Sequence, residues 1–173
     1  SKAVSPLYDS TKPYDNRDPR LKQTISVPGA TINGIVNHTG EFGGFMFKKY
    51  TVYDETGEFD PPSDAVGGGI NAIIFRYAEI LLTYDEKKNE LSGPDQSVYD
   101  AINAIRARAS VNMPAIATGL SKEQMRQVIR HERRIELVLE GTRYTDIRRW
   151  KTAEGILNGL VDAGGVRVFA SKD

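Results

Sequence analysis

Residues 130–150 read RHERRIELVLEGTRYTDIRRW. Arginine and glutamate alternate here with isoleucine, leucine and valine, and the role of those charges decides the fold. Wound as a helix from Lys122 at about 100° per residue, the segment sets Met125, Val128, Ile129, Ile135 and Leu139 on one face. That face is wide enough to be a core-facing stripe. Glu132 falls inside it and Glu136 at its edge, while Arg126, Arg130 and Arg134 occupy a different face at four-residue spacing. A carboxylate in an apolar seam is costly unless it is paired and hydrogen-bonded. Partners are at hand: Arg106 and Arg108 close the preceding helical pattern, and Arg143, Arg148 and Arg149 follow. A planar guanidinium can satisfy both oxygens of a carboxylate. Glu132 and Glu136 are therefore expected to be tied to arginines of neighbouring helices, in pairs that fix how the helices dock.

The same residues admit three other readings, each weaker. His131-Glu132 begins like the zinc motif H-E-x-x-H, but the second imidazole belongs at position 135, which is Ile. The other histidine, His38, lies in the loop-rich half, so no metal is expected. A nucleic-acid surface would need bases without alternating acids; here the alternation points to pairing within helix faces. Two carboxylates could serve glycoside hydrolysis. Arginines beside them would hold both ionised, however, whereas a general acid needs a raised pKa. The chain carries no G-x-S-x-G, P-loop or dinucleotide fingerprint. Gly67 to Gly69 precede a helical pattern without the Lys-Ser/Thr of a phosphate loop. No catalytic residue and no cofactor is expected.

The chain as a whole agrees with a scaffold. Its 173 residues suit one domain, and 39% hydrophobic with 27% charged residues lies in the globular range. Lys+Arg and Asp+Glu both number 23, which argues against a dedicated nucleic-acid binder. The absence of cysteine excludes thiol catalysis and thiolate metal sites. No apolar run reaches the roughly 20 residues of a membrane-spanning helix.

Texture changes along the chain. Residues 1–70 hold KPYDNRDPRL, SVPGAT, EFGGF and FDPPSDAVGGG, which are turn and loop signals, with short strands expected within 23–27 and 44–53. Helices are expected near 70–91, 96–109, 122–140 and 143–157. Asp95 or Ser97 can cap the second, Ser121 and Gln124 form a capping box for the third, and Gly141 supplies its stop. Short connections favour antiparallel hairpins. In the first helix, Ile73, Tyr77, Ile80, Tyr84 and Leu91 share a face that Ile74, Leu81 and Leu82 widen. So wide an arc implies helices on two sides. The expected class is mainly α. A loop-rich segment (1–70) packs on a helical core (71–158), and a tail (159–173) of loop and one short strand follows.

Taken in order, NRDPRL, PGA, FKKY, FRYAEILL, NEL, AINAIRARAS and RHERRIELVLEGTRYTDIRRWK resemble the C-terminal part of the SusD/RagB family. The resemblance implies tetratricopeptide-like helical hairpins supporting a loop-rich ligand-binding region. It implies a non-catalytic carbohydrate- or nutrient-binding protein of a TonB-dependent outer-membrane uptake system in Bacteroidetes. Its partners would be a glycan and a SusC-like transporter, without nucleic acid. Its place would be the cell surface, held at the outer membrane only by a lipid anchor outside this chain. Arg76, Glu79, Arg108, Glu132, Arg133, Glu136, Gly141, Arg143, Asp146, Arg149 and Trp150 would then be scaffold residues. Of these, Arg76, Glu79, Arg108, Glu132, Glu136, Arg143 and Arg149 would form a structural ion-pair network. Tyr84-Asp85-Glu86-Lys87 departs from the small alanines that the family tends to place around the glutamate. Family members are also much longer, so the chain is expected to be a C-terminal portion.

Sugar sites combine flat aromatic faces with a few fixed polar groups. Phe42, Tyr53 and Phe59, set beside glycines or acids in loops, are the candidate carbohydrate contacts. Phe45, Phe47 and Tyr50 read as core, and Trp150 as an anchor between helices. The alternative function is a helical-repeat scaffold that binds a protein partner.

Overall fold

The computed structural model describes residues 7–32, 35–37, 44–49, 73–157, 161–163 and 166–168. A short helix α1 (Arg20–Thr24) runs directly into β1 (Ile25–Ser26), followed by β2 (Thr31–Ile32), β3 (Ile35–Val36) and β4 (Met46–Phe47). Helices α2 (Tyr77–Ser92), α3 (Gln96–Arg106), α4 (Lys122–Glu136), α5 (Thr142–Arg149) and α6 (Ala153–Leu157) follow, then the hairpin β5 (Val161–Ala163) and β6 (Val166–Val168). The chain is mainly α, and its strands form separate antiparallel pairs: β1 with β4, β2 with β3, β5 with β6. Among the described residues, no helix is long and apolar enough to cross a membrane.

Helix α2 packs on both α3 and α4. One apolar cluster joins Val98, Tyr99 and Ile102 of α3 to Met125 and Ile129 of α4, with Ile116, Leu120 and Val128 against it. A second joins Ala78 and Leu82 of α2 to Ile105 and Leu137. The helix starts are capped as the sequence suggests. Asp95 accepts from the backbone N–H of Ser97 and Val98 at α3, and Ser121 with Gln124 forms a full capping box at α4.

Helix α3 ends at Arg106, three residues before the expected 109, and three other helix boundaries also differ from expectation, each for a local reason. Helix α2 begins at Tyr77, because Arg76 stays extended (φ −141°, ψ 163°) to aim its guanidinium at α4. Helix α4 stops at Glu136, four residues early. Basic side chains satisfy the carbonyls freed there: Arg76 Nη2 donates to Glu136 O at 2.6 Å and Lys49 Nζ to Val138 O at 3.0 Å. Leu139 and Gly141 then turn through positive φ (65° and 76°), and Gly141 becomes the N-cap of α5. The helix expected over 143–157 is split, since Lys151 adopts φ 54° and Thr152 hydrogen-bonds back to Ile147 O.

The largest correction concerns which face of α2 is inside. Ile73, Tyr77, Ile80, Tyr84 and Leu91 are exposed, and so is Ile74; residues 73–76 are not helical. The buried face is Ala78, Leu82, Asp85, Glu86 and Asn89. Polar anchors explain the rotation. Arg76 reaches Glu136 and Glu140, Glu86 reaches Arg149 and Trp150, and Asn89 Nδ2 donates to Lys122 O at 3.0 Å. A helix tied to α4 and α5 by these groups must turn that face inward, whatever the arc of its apolar residues. Phe45 and Phe47, expected in the core, are also exposed, although Phe45 meets Tyr14 edge-on at 6.0 Å. Tyr50 lies outside the described residues.

Candidate functional site

Helix α4 presents Met125, Ile129, Glu132 and Glu136 inward at intervals of four, three and four residues. Its first half is therefore oily and its second half charged. Glu132 is 1% exposed, and each of its oxygens has a guanidinium: Arg20 Nη1 at 2.5 Å on Oε1, Arg106 Nη1 at 2.6 Å on Oε2. One turn on, Glu136 takes Arg76 Nη1 at 2.6 Å on Oε1 and Arg20 Nη1 at 2.9 Å on Oε2, and Arg108 Nη2 at 3.0 Å completes the set. Glu140 binds Arg76 through Nε (2.9 Å) and Nη2 (2.7 Å), and Lys49 Nζ at 2.5 Å. Arg133, on the flank, donates through Nε to Asp146 Oδ2 at 2.7 Å and lies 3.5 Å from Glu79. Arg149 holds the other oxygen of Asp146 and both oxygens of Glu86.

Of the network residues named from sequence, Arg76, Arg108, Glu132 and Glu136 lie in one cluster of ion pairs built round Arg20, Glu79 and Arg149 lie in a second built round Arg133 and Asp146, and one residue stands apart. Arg143 has no carboxylate in pairing distance among the described residues; it lines a cavity instead. Sequence reasoning also missed the central cation. Arg20 is 4% exposed, bridges Glu132 and Glu136 through a single nitrogen, and is itself oriented by Asp18 through Nε (2.9 Å) and Nη2 (2.6 Å). The signal was the proline-bounded pair of opposite charges in DPR, a turn before a helix, within a segment otherwise read as loop.

Electrostatics rule on the chemistry. Burial pushes the carboxyls of Glu136 and Glu140 upward, but hydrogen bonds from Arg76, joined by Arg20 and Lys49 respectively, outweigh it and hold both below the ordinary glutamate value. Neither can act as a general acid near neutral pH. One carboxyl is displaced the other way. Asp85 is 0% exposed, both its oxygens lack a hydrogen-bond partner, and burial pushes it up to about 8. It is sealed between helices and out of reach of a substrate. No group of His, Asp and Glu among the described residues is arranged to hold a metal ion, and His131 sits exposed on the outer side of α4.

Trp150 is an anchor. Its Nε1 donates to Glu86 Oε1 at 2.9 Å, and the guanidiniums of Arg130 and Arg149 lie 4.8 Å and 4.9 Å from its ring centroid. That ring is thus not free to stack on a sugar. The candidate contacts Phe42, Tyr53 and Phe59 lie outside the described residues. Among the described residues, a cleft of about 700 Å3 opens between the segment 14–25 and helices α4 and α5. Tyr14, Leu21 and Ile25 line it beside Arg17, Asp18 and Arg20 on one side, and His131, Arg134 and Arg143 beside Ile135, Val138 and Leu139 on the other. A smaller cleft of about 450 Å3 lies beside β1, lined by Tyr14, Asp15, Lys22 and Pro28 among others. Both are of a size that holds small ligands.

Comparison with known proteins agrees with this architecture. The model of the SusD family matches residues 1–172. The chain belongs to the SusD family. It is 37% identical over 97 residues to SusD-like protein P2 of Formosa agariphila, a stretch that covers 52% of this chain and 19% of that protein. SusD-like protein P38 of the same organism is 33% identical over 99 residues, covering 52% and 20%, and SusD-like protein P25 is 37% identical over 92 residues, covering 53% and 16%. The matched stretch is about a fifth of each relative or less. No solved structure matches the chain. SusD-family proteins are in general non-catalytic, glycan-binding components of outer-membrane uptake systems.

Proposed function

We propose that this chain is part of a non-catalytic glycan receptor that works at the outer-membrane surface with a TonB-dependent, SusC-like transporter. The lipid anchor of such a receptor would lie outside this chain. The observation that carries the reading is the saturation of the carboxylates of α4. Glu132 and Glu136 spend every oxygen on arginines inside the helical seam, which makes α4 a support for a binding surface. Phe42, Tyr53 and Phe59 remain the aromatic candidates for sugar contact, and the 700 Å3 cleft is a separate candidate surface for it.

The open apolar face of α2, with Tyr77, Ile80 and Leu91 exposed, favours one second reading, a helical-repeat scaffold that binds a protein partner. Native electrophoresis through gels that each contain one soluble polysaccharide, with released reducing ends assayed in parallel, separates the two. The receptor reading expects retardation by at least one polysaccharide and no release of reducing sugar. Unretarded migration in every gel by a chain with intact helical circular dichroism contradicts it and favours the scaffold. Release of reducing ends contradicts both.

A further inference from the structure

Among the described residues both buried arginines, Arg20 and Arg133, are paired with carboxylates, whereas the half-buried Arg130 and Arg143 and the exposed Arg134 are not. Arg130, Arg134 and Arg143 make no ion pair among the described residues. Arg134 and Arg143 share two cavities with His131: the 700 Å3 cleft described above and a pocket of about 200 Å3 on the other side of these side chains. Arg130 and Trp150 line the smaller one. The nearest acid, Asp146, is already spent, with Oδ2 on Arg133 and Oδ1 on Arg149. Arg130 lies over the indole of Trp150 at 4.8 Å, the carboxylates that act on it, Glu86 and Glu90, are already bound to Arg149 and Arg126, and its Nε is buried without an acceptor. Cations gathered with no carboxylate in pairing distance are mutually unfavourable. Burial, and after it the charge of Arg134, lowers the pKa of Arg143, and burial, then Arg126, does the same to Arg130. An anion seated among them would relieve this cost and satisfy donors that otherwise have no partner.

We propose that His131, Arg134 and Arg143, with Arg130 behind them, form a binding site for an oxyanion carried on a sugar, a carboxylate or sulfate ester of an acidic saccharide. This rests on the glycan-receptor reading and names its substrate class. The guanidinium forks of Arg134 and Arg143 would take the oxyanion, since their geometry matches carboxylate and sulfate oxygens. Across the cleft, Tyr14, Leu21 and Ile25, set among the polar Arg17, Asp18 and Thr24, would receive the sugar ring and its hydroxyls.

Trp150 is the only tryptophan of the chain and lines the smaller pocket, so its fluorescence reports on this site. The test is titration with glucuronate, glucose 6-sulfate, glucose and sodium sulfate at constant ionic strength. The expected result is a saturable change with glucuronate or glucose 6-sulfate and none with glucose. Binding should weaken by about tenfold or more in Arg134→Gln/Arg143→Gln, the loss expected for charged hydrogen bonds. Helical circular dichroism checks that this variant folds, and Arg134→Lys, which keeps the charge but not the fork, should bind more weakly than the parent and more tightly than the double variant. An equal response to glucose overturns the proposal, as does affinity unchanged in the double variant. Sodium sulfate matching glucose 6-sulfate would leave an inorganic-anion site and overturn the saccharide. Retardation by a neutral polysaccharide in the native gels, with no fluorescence response to either acidic sugar, overturns this site and leaves the receptor reading standing. No retardation and no response remove both.

Discussion

Glu132→Ala is expected to destabilise the chain by about 3 kcal/mol or more, the cost of breaking a buried ion pair from one side. The reason lies in what the carboxylate leaves behind. Arg106 loses its only carboxylate, and Arg20, 4% exposed, loses the shorter of its two contacts to α4. Both guanidiniums would keep their charge in a seam that water barely enters, and the methyl group of alanine would leave a void beside Ile129 and Arg133. Urea unfolding followed by circular dichroism measures the loss. A change below about 0.5 kcal/mol would mean that Glu132 is a surface-like ion pair, and the packed-seam reading would fall.

Asp85→Asn is expected to do the opposite and stabilise the chain, by about 1–3 kcal/mol at pH 8. Asp85 is fully enclosed on the face of α2 that packs on α3 and α4, and burial alone raises its pKa to about 8. In the unfolded chain the same carboxyl titrates near 3.9. Between these values the folded state holds a proton that the unfolded state does not. Stability is then fully present below the unfolded value and falls as pH rises through 8. Asparagine removes the titration and keeps the shape. Its amide can donate to Asn89 Oδ1, which lies one turn away on the same face and has no partner. The gain should therefore be larger at pH 8 than at pH 5, read from urea midpoints at the two pH values. A variant no more stable than the parent at pH 8, or a gain independent of pH, would show that Asp85 has a partner and is not an uncompensated buried acid.

The two substitutions also mark what was legible in the sequence. Glu132 and Glu136 could be placed because helical periodicity sets them among Met125 and Ile129, and buried carboxylates demand arginines. The capping box at Ser121 and the cap at Asp95 were readable because both are local and chemical. The orientation of α2 was not readable from its apolar arc. Ile80, Tyr84 and Leu91 outweigh Ala78, Leu82 and Asn89 in hydrophobicity, yet the second set is buried, because Arg76, Glu86 and Asn89 are tied to partners distant in sequence. Tertiary anchors of that kind leave no periodic trace. Arg20 was hidden for a related reason: it reaches α4 from a loop-like segment across more than a hundred residues. The early stop of α4 depends on Lys49 and Arg76, which supply its last carbonyls from outside the helix. Within the candidate site, the unpaired state of Arg143 could be seen only once its expected partners were found to be taken.

The arginine–glutamate seam is best tested by a double-mutant cycle on its most buried link, Arg20→Met and Glu132→Gln, measured by urea unfolding at pH 7. If Arg20 and Glu132 hold the N-terminal segment onto α4 as a desolvated pair, each single change is costly and the double change costs far less than their sum. The coupling should be roughly 2 kcal/mol, within the range found for groups in one charge network. Costs that add within about 0.3 kcal/mol, as they do for independent sites, would mean that the two charges do not meet and that the arginines of this segment are free for some other use.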